Sequence, residues 1–331
     1  MENSNKFIAV KALVFFVITV ALFSILIFLA GCNAIGMGGN AQPSLPGGLE
    51  ADEGKEPRIS VYIAEKETVE EMPIEEYIAG VVAGEMDPNW PLSALAAQAI
   101  IARTFTLQQI DEKGGVPGRN AHASTDTEEF QAYSTADITP RVREAVELTR
   151  GKAICYRNQF IRAWFSAYAG PRTARADEGL SFEGKNPPYI HIVASPGEEI
   201  IPSEEANWSA IFPLERVREV IGEATGRDPG VVERVEIKKK GPSGRAVIFA
   251  VNDQKISGPG MRLGLGSKEM RSTYIDEMNV QGNMLHLSGT GFGHGVGMCQ
   301  WGARALAEQG KTPEDIINYF YRKIKIIKLW D

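Results

Sequence analysis

IEEYIAGVVAGEMDPNWPLSALAAQAIIARTFTLQQ, residues 74–109, reads as two helices joined by a turn. Ile74, Tyr77, Ile78, Val81 and Val82 recur at the spacing of one helix face, so that face should be buried. Pro73 suits the helix start. Glu75 and Glu76, off the stripe, read as carboxylates at the positive end of the dipole. One step further along the stripe stands Glu85, a carboxylate where an apolar side chain is due. Burial and the negative end of the helix both raise a carboxyl pKa. An acid catalyst working near neutral pH needs such a carboxyl. The competing reading is a solvated Glu at a frayed helix end. Asp87-Pro88 or Trp90-Pro91 opens the second helix. Leu92, Leu95, Ala99 and Ala102 make its apolar line, and alanines at 94, 96, 97, 99 and 102 admit a close neighbour. Arg103 on this helix needs a partner, either Glu85 or another carboxylate.

The runs GVVAGEM and WPLSALAAQAIIARTF resemble the signature of the stage II sporulation protein D, or amidase-enhancer, family. A second run, GTGFGHGVGMCQWGARALAEQG at 289–310, resembles that family's other signature, with Cys299 where Ser is more usual. MRLGLGS at 261–267 resembles its Arg-Leu-x-x-Leu-Gly run, and Gln131 and Tyr133 match its Gln-x-Tyr. There are two departures. Asp87 stands where Pro usually follows Met, and FSAYAGPRT at 165–173 lacks the His of a His-Ser-Thr-Ser-Gly-Gly-like run.

The resemblance implies a peptidoglycan lytic transglycosylase that cleaves between N-acetylmuramic acid (MurNAc) and N-acetylglucosamine (GlcNAc). Its acid would be Glu85, and Arg103, Gln131, Tyr133, His294 and Gln300 are the candidate substrate-binding residues. It further implies a preference for glycans stripped of peptide stems, and a place beside the stage II sporulation proteins P and M in engulfment. A wall-bound amidase enhancer that cuts nothing is the alternative. Five glycines from 289 to 297 would let a ligand approach His294 closely; a turn whose His caps the next helix is the plainer reading. Gln300 could hydrogen-bond a sugar and Trp301 could stack on one, although Trp is more often core. Some family members hold zinc through Cys and His near the 122–126 region. Here His122 and Asp126 stand alone, with no CxxC or HExxH, so neither metal nor cofactor is expected.

Residues 12–30 form an apolar run preceded by Lys6 and Lys11, with no further charge until Glu50. Such a run spans a bilayer with its basic flank in the cytoplasm. Leu29-Ala30-Gly31-Cys32 also resembles a bacterial lipobox. Either anchor, at 1–32, leaves the rest outside the cytoplasm. Residues 33–57 read as a Gly- and Pro-rich tether, and 58–331 as one extracytoplasmic domain. RISVYIA at 58–64 reads as a strand that 68–70 can pair with. Helices are expected at 140–150, within 208–226 and from 312 to 321. Strands are expected at 153–156, 160–168, 231–239, 245–252 and 324–330, with a long loop at 176–197. The sum is an α+β fold, a helical catalytic core packed on mixed, mostly antiparallel strands, preceded by an N-terminal membrane anchor.

At 331 residues, 44% hydrophobic and 23% charged, the chain can bury a sizeable core. A net charge of -7 weighs against nucleic acid as a partner. Three cysteines make no disulfide framework.

Overall fold

A computed structural model describes residues 43–47, 49, 51 and 54–331. The anchor expected at 1–32, with Cys32, lies outside them, as does the first part of the tether. No helix among the described residues is long and apolar enough to cross a membrane.

Strands β1 (Arg58–Ile63) and β2 (Thr68–Pro73) pair antiparallel, burying Ile59 and Val61 by alternation. Pro73 passes directly into α1 (Ile74–Glu85), whose five stripe residues are all fully buried. Asp87 closes the following turn. Its Oδ1 accepts the Asn89 backbone N–H at 2.9 Å, so a side chain does locally what the missing Pro would do by restricting φ. Helix α2 (Leu92–Lys113) begins after Pro91 and ends at Gly114, which has a left-handed φ of 73°. Its alanines at 94, 96, 97, 99 and 102 are fully buried, together with Ile100 and Ile101 on other faces. A helix buried all round is a central helix. Short strand β3 (Ala123–Ser124) then runs parallel to β1.

Helix α3 (Pro140–Leu148) is capped by Thr139, whose hydroxyl accepts the Val142 N–H. Strands β4 (Lys152–Tyr156), β5 (Gln159–Phe160) and β6 (Phe165–Ser166) follow. The single strand expected at 160–168 is thus split. A tight turn, with Trp164 N–H donating to the Arg162 carbonyl at 2.9 Å, bends the chain between its halves. The expected loop at 176–197 contains one helical turn, α4 (Ala176–Gly179), and α5 (Ser203–Ala206) follows.

From β7 (Asn207–Pro213) the chain builds a second lobe: α6 (Leu214–Thr225), β8 (Val235–Lys240), β9 (Ala246–Val251), β10 (Gln254–Ser257), α7 (Gly258–Leu265), β11 (Ile275–Gln281) and β12 (Met284–Thr290). Two antiparallel sheets, β10-β9-β8 and β11-β12-β7, enclose its core. Strand β7 was hidden in the sequence because it runs without a break into the α6 pattern. Only Trp208 and Phe212 mark its inner face, while Ile211 points outward. The chain then returns through β13 (Met298–Cys299), parallel to β6, into α8 (Gln300–Glu308), α9 (Pro313–Phe320) and β14 (Lys325–Lys328), which pairs with β4. Helix α2 packs against α1, α3, β4, α8 and α9. Its two sides feed two apolar clusters.

The fold is therefore mixed α+β with several small, mostly antiparallel sheets. One boundary differs from the composition reading. Leu45 and Leu49 pack on the first cluster, and Glu56 pairs with Arg150 and accepts the Glu75 N–H at 2.8 Å. Attachment to the core thus begins within 33–57, because a few apolar and acidic side chains there find partners.

Candidate active site

Glu85 is the last residue of α1 and sits half-buried in a cleft of about 530 Å³. Five other stretches meet it there: Phe105 of α2, Gln131 and Ala132 from the loop after β3, Phe165 and Ser166 of β6, Arg262 of α7, and His294 and Gln300 of the second signature. Glu85 and Gln300, 215 positions apart, converge because α2 packs against both α1 and α8.

The Glu85 Oε1 accepts the Ala132 backbone N–H at 2.8 Å, and Gln300 Nε2 donates to the Glu85 carbonyl at 3.1 Å. Burial pushes the Glu85 carboxyl up to about 7, against the opposing pull of the Ala132 and Gln300 hydrogen bonds. A large share of the acid is therefore still protonated near neutral pH, because lost hydration outweighs what those donors return.

Ala132 can reach Glu85 because Gly80 and Gly84 on α1 have no side chains. A Cβ at Gly84 would lie 2.6 Å from the Tyr133 backbone nitrogen, and one at Gly80 would strike the Tyr133 ring. Gly84→Ala should therefore push the 131–133 segment away, break the Ala132 bond and cost about 1–3 kcal/mol as overpacking. Thermal unfolding measures this; an unchanged melting temperature contradicts the close approach.

The candidate substrate-binding residues divide. Gln131, His294 and Gln300 line the cleft with Glu85. Gln131 is buried, donates to Thr106 Oγ1 at 3.3 Å and keeps its Oε1 without a protein partner. Tyr133 does not line the cleft. Its ring stacks on Tyr77 at 5.6 Å, so its contribution is to hold the backbone that binds Glu85. Arg103 is also elsewhere, fully buried against Glu75. Its Nη2 and Nε donate to the Glu75 carboxylate at 2.5 and 3.0 Å, and its Nη1 to the Lys152 carbonyl at 2.9 Å. Glu75 is thus no solvated dipole partner; it also accepts from Gly151 N at 3.0 Å and Trp330 Nε1 at 2.9 Å. Glu75 directly follows Ile74 of the buried stripe and so lies on an adjacent face of α1, where the C-terminal Trp330 closes over it. Trp301 is core, packed on Trp90 with ring centres 4.9 Å apart.

His294 Nδ1 accepts the Val296 N–H at 3.0 Å, which puts the ring proton on Nε2. Burial, with the Arg262 and Arg245 charges, pushes its pKa down to about 3. His294 is thus a neutral wall of the cleft rather than the group titrating near 7. The glycines around it do not make room for a ligand. Gly291, Gly293, Gly295 and Gly297 all have positive φ. The space a Cβ would need is filled by Ser166 at Gly293 and by the Arg245 guanidinium at Gly295. Arg245 in turn donates to the Ala169 carbonyl at 2.8 Å, tying the glycine loop to the chain after β6.

Ser166 and Arg262 are among the cleft residues that escaped the sequence reading. Ser166 has a buried Oγ without a protein partner, and Arg262 brings a cation. The only signal was their position inside runs noted for other reasons, FSAYAGPRT and MRLGLGS.

His122 and Asp126 do not form a metal site. His122 Nδ1 accepts the Ser60 N–H at 3.1 Å, and Asp126 Oδ1 accepts the Glu128 N–H at 2.9 Å. Cys155 and Cys299 are buried in different clusters. Among the described residues no three His, Cys, Asp or Glu side chains are placed to hold an ion, so the residues present do not fit a Cys/His zinc site.

Residues 62–156 match the family model described as stage II sporulation protein. The chain is 30% identical over 282 residues to the stage II sporulation protein D of Bacillus subtilis (strain 168), covering 81% of this chain and 78% of the relative. The protein of the same name from Bacillus amyloliquefaciens is 30% identical over 281 residues, with the same coverage of 81% and 78%. The amidase enhancer of B. subtilis (strain 168) is 26% identical over 290 residues, 74% of this chain and 39% of the relative.

Proposed function

The chain belongs to the stage II sporulation protein D family, and from that premise we propose that it is a lytic transglycosylase of peptidoglycan. Its bond is the one between MurNAc and GlcNAc, and Glu85 is the acid. One observation carries the reading: Glu85, raised to about 7, is the only acid among the described residues that line the cleft. Hydrolases that retain or invert configuration need two carboxyls, because one must activate water or attack the sugar. A single carboxyl suffices if the sugar supplies its own nucleophile. Protonated Glu85 gives its proton to the glycosidic oxygen as the C1–O bond breaks. The carboxylate then takes the proton from the C6 hydroxyl of MurNAc as O6 closes on C1. The products are a GlcNAc hydroxyl and a 1,6-anhydro ring. The proton is back on Glu85, and no water has been consumed.

The name of the amidase enhancer relative favours a second reading, a wall-bound module that positions another hydrolase. Incubation with stem-free glycan strands separates the two. Soluble short fragments support the enzyme; strands that sediment intact with the protein leave only the binder. On the enzyme reading the protein works during sporulation, held to the outer face of a membrane by residues 1–32, beside the stage II sporulation proteins P and M. Recovery of the full chain in the soluble fraction would sink the anchor.

The pH profile follows from the sign of the shift. The fold raises the Glu85 pKa, so the active protonated form is full below about 7 and lost above it. The turnover rate on glycan strands should fall as pH rises through about 7. A rate that climbs across that range would assign the titrating group to a base.

A further inference from the structure

Arg262 shares the cleft with Glu85, and among the described residues no carboxylate pairs with it. Its Nε donates to the Arg271 carbonyl at 3.0 Å and its Nη2 to the Ser267 carbonyl at 3.3 Å, which fixes the guanidinium on α7. Burial alone shifts its pKa, downward, with no carboxylate contributing. Arg103, a fully buried arginine, shows what satisfaction looks like here: it is clasped by Glu75. A half-buried cation without a counter-charge is costly. Arg262 acts on His294, helping to keep it neutral, and it stands on α7 whereas Glu85 ends α1. The acid and the cation are therefore separate fixtures of one cleft. The ligand they suit is neutral at the reacting bond and carries one anion at a distance from it.

Resting on the transglycosylase reading, that anion can be identified chemically. A glycan strand is uncharged except at the lactyl ether on O3 of each muramyl residue. While a peptide stem is attached, that lactyl carboxyl is an amide and neutral. Once the stem is removed, it is a carboxylate. We propose that Arg262 is the specificity-determining residue of the cleft and that it binds the free lactyl carboxylate of a stem-free MurNAc. Selection for stripped strands is then recognition of a charge as well as room for a thinner chain. With Nε and Nη2 engaged by the Arg271 and Ser267 carbonyls, the Nη1 side of the guanidinium is what can meet a carboxylate, and charge-assisted bonds of this kind are stronger than neutral ones.

The test is binding rather than turnover. The full chain carrying Glu85→Gln, which cannot consume its ligand, is titrated with two GlcNAc–MurNAc tetrasaccharides. They differ only in whether the lactyl groups are free carboxylates or methylamides. The free acid should bind at least ~10-fold more tightly, the worth of one charge-assisted contact. Adding Arg262→Gln should erase the difference and leave both ligands at the affinity of the methylamide. Arg262→Lys, which keeps the charge and guards against a folding defect, should restore part of the preference. A merely structural Arg262 would weaken both ligands alike. Equal affinities before Arg262 is changed, preference surviving Arg262→Gln, or no binding of either ligand overturns the proposal. If the preference holds while the unsubstituted protein cuts nothing, the transglycosylase reading fails and Arg262 keeps its role.

Discussion

Glu85→Gln should lower the turnover of stem-free glycan strands by at least ~10²-fold, the ordinary contribution of a general acid. The amide has nearly the same shape and can still accept the Ala132 N–H that Glu85 Oε1 accepts at 2.8 Å. Strand binding should therefore survive. Stability should not fall either. A carboxyl raised to about 7 in the fold adds stability below its ordinary range and loses it as pH rises through 7. Near pH 8, where the acid is ionised in a half-buried site, Gln should be tolerated at least as well. Glu76→Gln is the control: Glu76 pairs with Arg143 at 2.6 Å on an exposed face, and such pairs are worth little. Kinetics on purified strands, with unfolding curves for each variant, decide the matter. Full activity in Glu85→Gln sends the search for the acid elsewhere.

Glu75→Gln should be the most destabilising single change on α1, costing about 3–5 kcal/mol, as removal of one partner from a buried ion pair does. Glu75 accepts from Arg103, Gly151 and Trp330, and so joins the start of α1, the middle of α2 and the C-terminal segment. The neutral amide leaves the Arg103 guanidinium charged, fully buried and unanswered. Removing both charges together, as Glu75→Leu with Arg103→Met, should cost less than Glu75→Gln alone, because no orphaned charge remains. Urea denaturation measures both. A loss under about 1 kcal/mol for Glu75→Gln would mean that water reaches Arg103 and the pair behaves as a surface pair.

These two glutamates mark what sequence could and could not tell. Glu85 was legible because helical period is local: Val81 and Val82 predict the face on which the next turn falls. Glu75 lies off that stripe and read only as a carboxylate at the positive end of the helix dipole. Its burial comes from Trp330, 255 residues away, and no period reaches that far. Arg103 was correctly seen to need a carboxylate, but spacing could not choose between Glu85 and Glu75. The glycines around His294 were readable as a special backbone, yet what fills their empty sides, Ser166 and Arg245, is a matter of tertiary packing. Tyr133 was read as a ligand contact. Its ring stacks on Tyr77, and the group that reaches Glu85 is the backbone N–H of its neighbour Ala132; a main-chain N–H leaves no mark in a sequence. Strand β7 and the β11–β12 hairpin were missed where polar residues interrupt the alternation, as in IDEMNVQ, whose outward face is solvated.

The sharpest measurement is mass spectrometry of the ends formed when the protein digests stem-free glycan strands in water enriched in oxygen-18. With Glu85 as the sole acid and O6 as the nucleophile, every new end should be 1,6-anhydro-MurNAc and carry no label. Reducing MurNAc ends bearing oxygen-18 would show that water attacked C1, that a second base exists, and that the single-carboxyl mechanism is wrong.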